Sequence, residues 1–145
     1  STFYFFNRSF IKGIVCFLNK KLLSLNNNLQ KPKFSVEFLE EAAEFLELLD
    51  EKIRIKIIYN ITKARYSNDK ELFKKLNDEV WEFRTLYKNI HYRLFAFWDK
   101  RMSAETLIIC THGIIKKSQK TPQADLIKAE SLRKLYFTRS TPKNE

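Results

Sequence analysis

A chain of 145 residues that is 44% hydrophobic, with only two glycines and three prolines, is long enough for one domain with a real core and too apolar to stay disordered. Its formal charge of +10 and pI of about 9.6 point to a polyanionic partner, RNA or DNA ahead of an anionic membrane surface. Two cysteines without ligand-like spacing make no zinc site, and no stretch reaches the ~18–20 apolar residues of a membrane span, so the chain reads as cytoplasmic with buried free thiols at Cys16 and Cys110.

The charge is unevenly placed. Residues 1–35 carry six basic and no acidic side chains, and residues 36–50 carry six acidic and no basic ones. In residues 1–30, Phe3, Phe6, Phe10, Ile14 and Phe17 recur at helical spacing, which predicts an N-terminal extension with one greasy stripe. Phe10 to Leu18 is interrupted by Lys12 and lacks a small-residue cleavage site, a poor signal peptide. Asn26-Asn27-Asn28 reads as a linker, so the domain is expected over residues 31–137, with a tail at 138–145.

Ser35 predicts the cap of a helix with Glu37 in its first turn and Phe38, Ala42, Phe45 and Leu49 on its inner face. Asp50 would cap a second helix to about Arg65, with Ile53, Ile57, Ile61 and Ala64 inward, and the short link makes the two an antiparallel hairpin. A third, shorter helix is expected near Asn68, where Glu71 stands at capping-box distance. Lys52, Arg54, Lys56, Lys63 and Arg65 read as a solvated face, with docking on RNA as the rival reading.

After Asn77 the period changes to two. Strands are expected at Val80 to Leu86, Ile90 to Trp98 and Thr106 to His112, an antiparallel meander with Tyr87-Lys88-Asn89 as its first turn. Alternation places Trp81, Phe83, Tyr92, Leu94, Ala96 and Trp98 against the helices, and Glu82, Arg84, His91, Arg93 and Phe95 on the opposite, basic face. Trp81 and Trp98 read as core rather than as base-stacking platforms. A last helix runs from Pro122 to about Tyr136, with Leu126, Ala129, Leu132 and Leu135 or Tyr136 as its stripe. The fold class is therefore α+β: an N-terminal helical hairpin on a small antiparallel sheet, with a C-terminal helix.

Between the third strand and that helix lies His112-Gly113-Ile114-Ile115-Lys116-Lys117-Ser118-Gln119-Lys120-Thr121-Pro122. Gly113 marks a turn, three lysines follow within five positions, and Thr121-Pro122 fits an N-cap with Pro at the first helical position. Fixed positive charge where a strand ends and a helix begins suits a phosphate-rich ligand.

Val80-Trp81-Glu82-Phe83-Arg84, His91-Tyr92-Arg93-Leu94-Phe95 and His112-Gly113-Ile114-Ile115-Lys116-Lys117 occur in order, followed by Lys120-Thr121-Pro122. This set resembles the RelE/ParE superfamily of type II toxin–antitoxin toxins, within it the phage-derived, HigB-like branch, over about residues 31–137. The resemblance implies a RelE-like fold and an endoribonuclease that cuts mRNA on the translating ribosome. It also implies restraint by a cognate helix-turn-helix antitoxin, as a homodimer or a toxin–antitoxin hetero-oligomer. Neither a carboxylate cluster nor a His/Cys array supplies a metal site, so no metal is expected, and neither a cofactor nor a membrane partner. A ParE-like inhibitor of DNA gyrase and a non-catalytic nucleic-acid-binding module are the rival readings.

Cutting RNA by attack of a 2′-hydroxyl needs a proton acceptor, donors for the charge on phosphorus and a proton for the leaving 5′-oxygen. Arg84 and Arg93 are expected to meet the phosphate from a surface site, with Lys116 matching a basic loop position by resemblance. His91, on the same face and titrating nearest neutrality, is the preferred acid–base group. Lys117, Lys120 and His112 are expected to contact RNA. The resemblance also exposes a departure: Glu82 stands where better-studied members offer a lysine, and it could serve as a base or as a partner for Arg84.

Overall fold

The computed structural model describes residues 31–102, 106–118 and 120–139. The helical stripe and linker read in residues 1–30, with Cys16, lie outside the described residues, as does the tail from residue 140 onward. The elements in chain order are β1 (Ser35–Phe38), α1 (Glu40–Leu48), α2 (Glu51–Ala64), β2 (Phe73–Lys75), β3 (Trp81–Tyr87), β4 (Ile90–Asp99), β5 (Leu107–Lys116) and α3 (Gln123–Arg139). One five-stranded sheet in the order β1-β5-β4-β3-β2 lies between α1 and α2 on one face and α3 on the other.

This corrects the expected fold class. The chain does not enter on a helical hairpin: a strand precedes both helices, and the sheet is mixed because β1 pairs in parallel with β5. Ser35 caps nothing; its backbone N–H donates to Thr106 O at 2.9 Å, and Leu39 N–H closes the ladder on Cys110 O at 2.9 Å. A four-residue strand has too little sequence of its own to declare a period, and its partner lies some seventy residues away. The expected third helix is likewise a turn and a strand. Asp69 Oδ1 accepts from Glu71 N–H at 2.8 Å, and Phe73 then enters the ladder to stack on Phe83, centroids 4.3 Å apart.

The expected meander is present. Lys88 and Asn89 both hold positive φ, 48° and 62°, the pair of left-handed residues that a two-residue hairpin turn requires. Phe83, Tyr92, Leu94, Ala96, Ile108 and Cys110 pack on Ala42, Leu46, Ile57, Ile58 and Ile61 from α1 and α2. Each fully buried aliphatic side chain there contributes about 1.5–3 kcal/mol. Asn60, buried in α2, donates to Thr85 Oγ1 on β3 at 3.1 Å and pins that helix to the sheet. On the other face Phe97 and Ile109 meet Tyr136, and Val80 and Phe95 meet Ala129, so Tyr136 rather than Leu135 completes the α3 stripe.

The α3 helix is also tied to the sheet through Asp99. Its carboxylate accepts from Arg101 at 2.8 and 2.9 Å and from the Tyr136 hydroxyl at 2.7 Å. Chiefly the Arg101 hydrogen bond, helped by Tyr136, draws its pKa down from 3.8 to about 2. A depressed carboxylate stabilises the fold above its unfolded pKa of roughly 4 and loses that contribution as pH falls toward 2. About 2 kcal/mol should therefore disappear over that interval. Urea unfolding at pH 7 and pH 2.5 should show Asp99→Asn losing less between the two conditions than the parent.

Candidate functional site

One backbone irregularity builds the site. The β4–β5 register runs His91↔Lys116, Arg93↔Ile114 and Phe95↔His112, then jumps to Ala96↔Cys110, leaving Thr111 as an extra residue. Side chains alternate faces, so one inserted residue reverses the parity of everything beyond it. Without the bulge, His112 and Lys116 would share the Cys110 face, under α1. With it, they join Glu82, Arg84, His91, Arg93 and Phe95 on the α3 face.

Gly113 serves this arrangement differently from expectation. It lies inside β5 rather than at a turn, and its φ is not positive. A Cβ on it would collide with the Phe45 ring of α1, so the glycine permits close approach of helix and strand.

The hub is the Glu82 carboxylate, 2% exposed. Its Oε1 stands 3.6 Å from Arg84 Nε and 3.6 Å from Arg93 Nε, and its Oε2 accepts from the Thr121 hydroxyl at 3.3 Å. Thr121, expected as an N-cap, thus reaches across to β3 instead. Arg84 also faces Glu71, at 3.5 Å. Arg93 is 2% exposed, which overturns its expected surface position. One of its terminal nitrogens donates to Tyr92 O and the other to His91 Nδ1, each at 3.2 Å. Both Nε–H groups are buried beyond hydrogen-bond distance of any partner, so the two guanidiniums hold unspent donor capacity.

Lys116 stands opposite His91 at the hairpin end of the sheet. Burial, Arg93 and Arg84 push its pKa below 10.5, with Glu82 opposing them. Burial and then the charges of Arg93, Lys116 and Arg84 hold the His91 imidazole below 6.5, neutral at physiological pH. Because a guanidinium can only donate, Arg93 fixes His91 Nδ1 as the acceptor and leaves its proton on Nε2.

Expected residues that do not join this cluster are also clear. His112 is 3% exposed beneath α3, stacked on Phe95 at 4.8 Å, with Nδ1 2.9 Å from Thr111 Oγ1 and Nε2 3.1 Å from Asp125 Oδ1. Burial lowers its pKa despite Asp125. It pegs the first turn of α3 to β5. Lys117 and Lys120 are exposed on the connection into α3.

The family model for phage derived protein Gp49-like (DUF891) matches residues 44–134, more than half of the chain and every member of the cluster. The chain belongs to the Gp49-like family. That is a RelE/HigB-like toxin family associated with toxin–antitoxin systems, and membership implies an antitoxin partner. No curated protein and no solved structure matches the chain. Among the described residues of this Gp49-like protein, no helix is long and apolar enough to cross a membrane, and no three His, Cys, Asp or Glu side chains gather to hold a metal ion.

Sequence reasoning overlooked two Gp49-like site contacts, Thr121 on Glu82 and Asp125 on His112. Neither has a local signal: the partners are 39 and 13 residues apart in the chain and meet only once the last helix packs on the sheet. Two guanidiniums and one ammonium around one buried carboxylate leave a positive field at the hairpin end, suited to a phosphodiester rather than to a neutral ligand.

Proposed function

We propose that this protein is the HigB-like toxin of a type II pair, an endoribonuclease that cleaves mRNA on the translating ribosome and is silenced by a helix-turn-helix antitoxin. The observation that carries this reading is the convergence of Arg84, Arg93, Lys116 and His91 around Glu82 on one sheet face. Arg84 and Lys116 take the non-bridging phosphate oxygens, and the His91 Nε2–H supplies a further donor. Arg93, held underneath, adds charge. Lys117 and Lys120 meet neighbouring phosphates.

In the proposed reaction the 2′-oxygen bonds to phosphorus, the P–O5′ bond breaks, and a 2′,3′-cyclic phosphate remains. His91 can accept the 2′-hydroxyl proton at Nδ1 only after releasing Arg93, and an incoming phosphate oxygen is the competitor that draws that guanidinium away. Lys116, whose ammonium is pushed toward neutrality, gives its proton to the leaving 5′-oxygen. Every proton and charge role falls to a protein group, so the reaction is expected to proceed when a chelator selective for transition metals is added and magnesium stays at the level the ribosome needs.

Purified protein added to translating ribosomes should cut the message and leave cyclic phosphate ends. Gyrase-dependent DNA breaks without RNA cleavage would transfer the chain to a ParE-like role. Neither activity, with RNA still bound, would leave a binding module.

A further inference from the structure

At the far end of the sheet from the cation cluster lies a second site. A cleft of about 720 Å³, within the ~300–1,000 Å³ usual for small-ligand sites, opens between the open end of the β3–β4 hairpin and the C-terminal half of α3. Trp81, Trp98 and Phe137 line it, with Lys100, Arg101 and Arg133 among them. All three rings are only half-buried; Trp98 packs against the core as expected, Trp81 stacks on Phe73 beside it, and both also reach the cleft. Trp98 lies five residues along β4 from Arg93, about 17 Å at ~3.4 Å per residue.

The chemistry of the walls selects a ligand class. Trp81 and Trp98 meet edge to face, centroids 5.5 Å apart at 72°, and Trp81 is stacked on Phe73 at 4.9 Å and 22°, so the Trp81 face turned away from Phe73 is the one that can take a further ring. The Lys100 ammonium stands 5.4 Å from the Trp98 centroid, and the guanidiniums of Arg101 and Arg133 each stand 4.9 Å from that of Phe137. Cations resting on aromatic faces are a preformed surface for a second flat, π-rich group with an anion beside it. The rim carboxylates already face cations, Asp78 with Lys75 at 3.8 Å and Glu79 with Arg133 at 3.5 Å. They can accept from exocyclic amino groups of a base without presenting bare negative charge. An acidic peptide would satisfy the cations and waste the rings; an apolar one would do the reverse. A nucleotide uses both.

We infer that this cleft is a single-stranded RNA subsite in which an unpaired base stacks on the Trp81/Trp98 wall while its phosphate lies against Lys100. This inference concerns binding and does not require the cleavage proposed above.

The chain holds only two tryptophans, and both line the cleft, so tryptophan emission excited beyond the tyrosine band reads this site. The full chain would be titrated with a short 2′-O-methyl oligoribonucleotide, which cannot undergo internal cleavage. Saturable quenching is expected. Lys100 is exposed, so Lys100→Glu should fold normally and bind about tenfold more weakly, with a shallower salt dependence. An abasic strand of equal length should bind without quenching. Three results would overturn the inference: no quenching although anisotropy reports binding, equal quenching by the abasic strand, or undiminished affinity in Lys100→Glu. Quenching by the antitoxin and not by RNA would reassign the cleft to protein docking and overturn it too.

Discussion

Arg93→Ala is expected to lose about 3 kcal/mol of folding stability, in addition to any loss of toxicity. The side chain is 2% exposed, and its Nε lies 3.6 Å from a carboxylate that is itself buried. Removing one member of a buried ion pair leaves the other charge short of compensation, typically about 3–5 kcal/mol. Arg84 still faces Glu82 at 3.6 Å and Thr121 still donates to it, which puts the effect at the lower end. Urea denaturation of the single variant measures it directly. Replacing both partners, Arg93→Met with Glu82→Leu, should recover most of the loss, because no buried charge is then stranded. Unchanged stability in Arg93→Ala would show that the guanidinium is not confined against Glu82. Loss of growth inhibition in this variant says little about chemistry unless folding is measured beside it.

Arg84 and Lys116 offer the cleaner test of catalysis. The Arg84 side chain is 12% exposed at the rim and Lys116 lies at the hairpin end, so these changes should cost less stability than Arg93→Ala, although Arg84→Ala also removes a partner of Glu82 and needs urea denaturation beside it. Arg84→Ala should reduce the rate of RNA cleavage about 10²–10³-fold, the usual consequence of removing one donor to charge that develops in the transition state. Lys116→Arg separates charge from proton transfer. Arginine keeps the cation but does not release its proton near neutral pH. RNA affinity should therefore hold while kcat falls, and the alkaline limb of the parent's pH profile should vanish. That limb exists in the parent because deprotonated Lys116 cannot serve as the acid, and the depressed pKa moves the loss to lower pH than an ordinary lysine would give. A Lys116→Arg variant with parental kcat would end the proton-donor assignment and leave only an electrostatic role.

Much of the scaffold was legible from neighbouring residues. The period-two runs of β3 and β4, the Lys88-Asn89 turn, the inward face of α2 and the α3 stripe all express local alternation, and local alternation survives folding unchanged. The basic residues of the cluster were legible too, because Arg84 and Arg93 sit opposite one another in a hairpin that the sequence itself closes. The parallel partnership of Ser35–Phe38 with Leu107–Cys110 was not, since a four-residue strand takes its identity from a distant partner. Nor was the reading of Asn68 onward as a helix sound, because Phe73 follows the aromatic surface of β3 rather than its own propensity.

What the sequence determined alone is the inventory: a basic chain with one meander, a cation-rich run after it and three motifs in order. Tertiary structure decided depth and direction. The extra residue at Thr111 turned Lys116 toward Arg93, α3 buried His112, and Glu82 drew the Arg93 guanidinium beneath the surface. Periodicity records which way a side chain points relative to its neighbours in the chain. How far it lies from water depends on what the rest of the molecule lays over it.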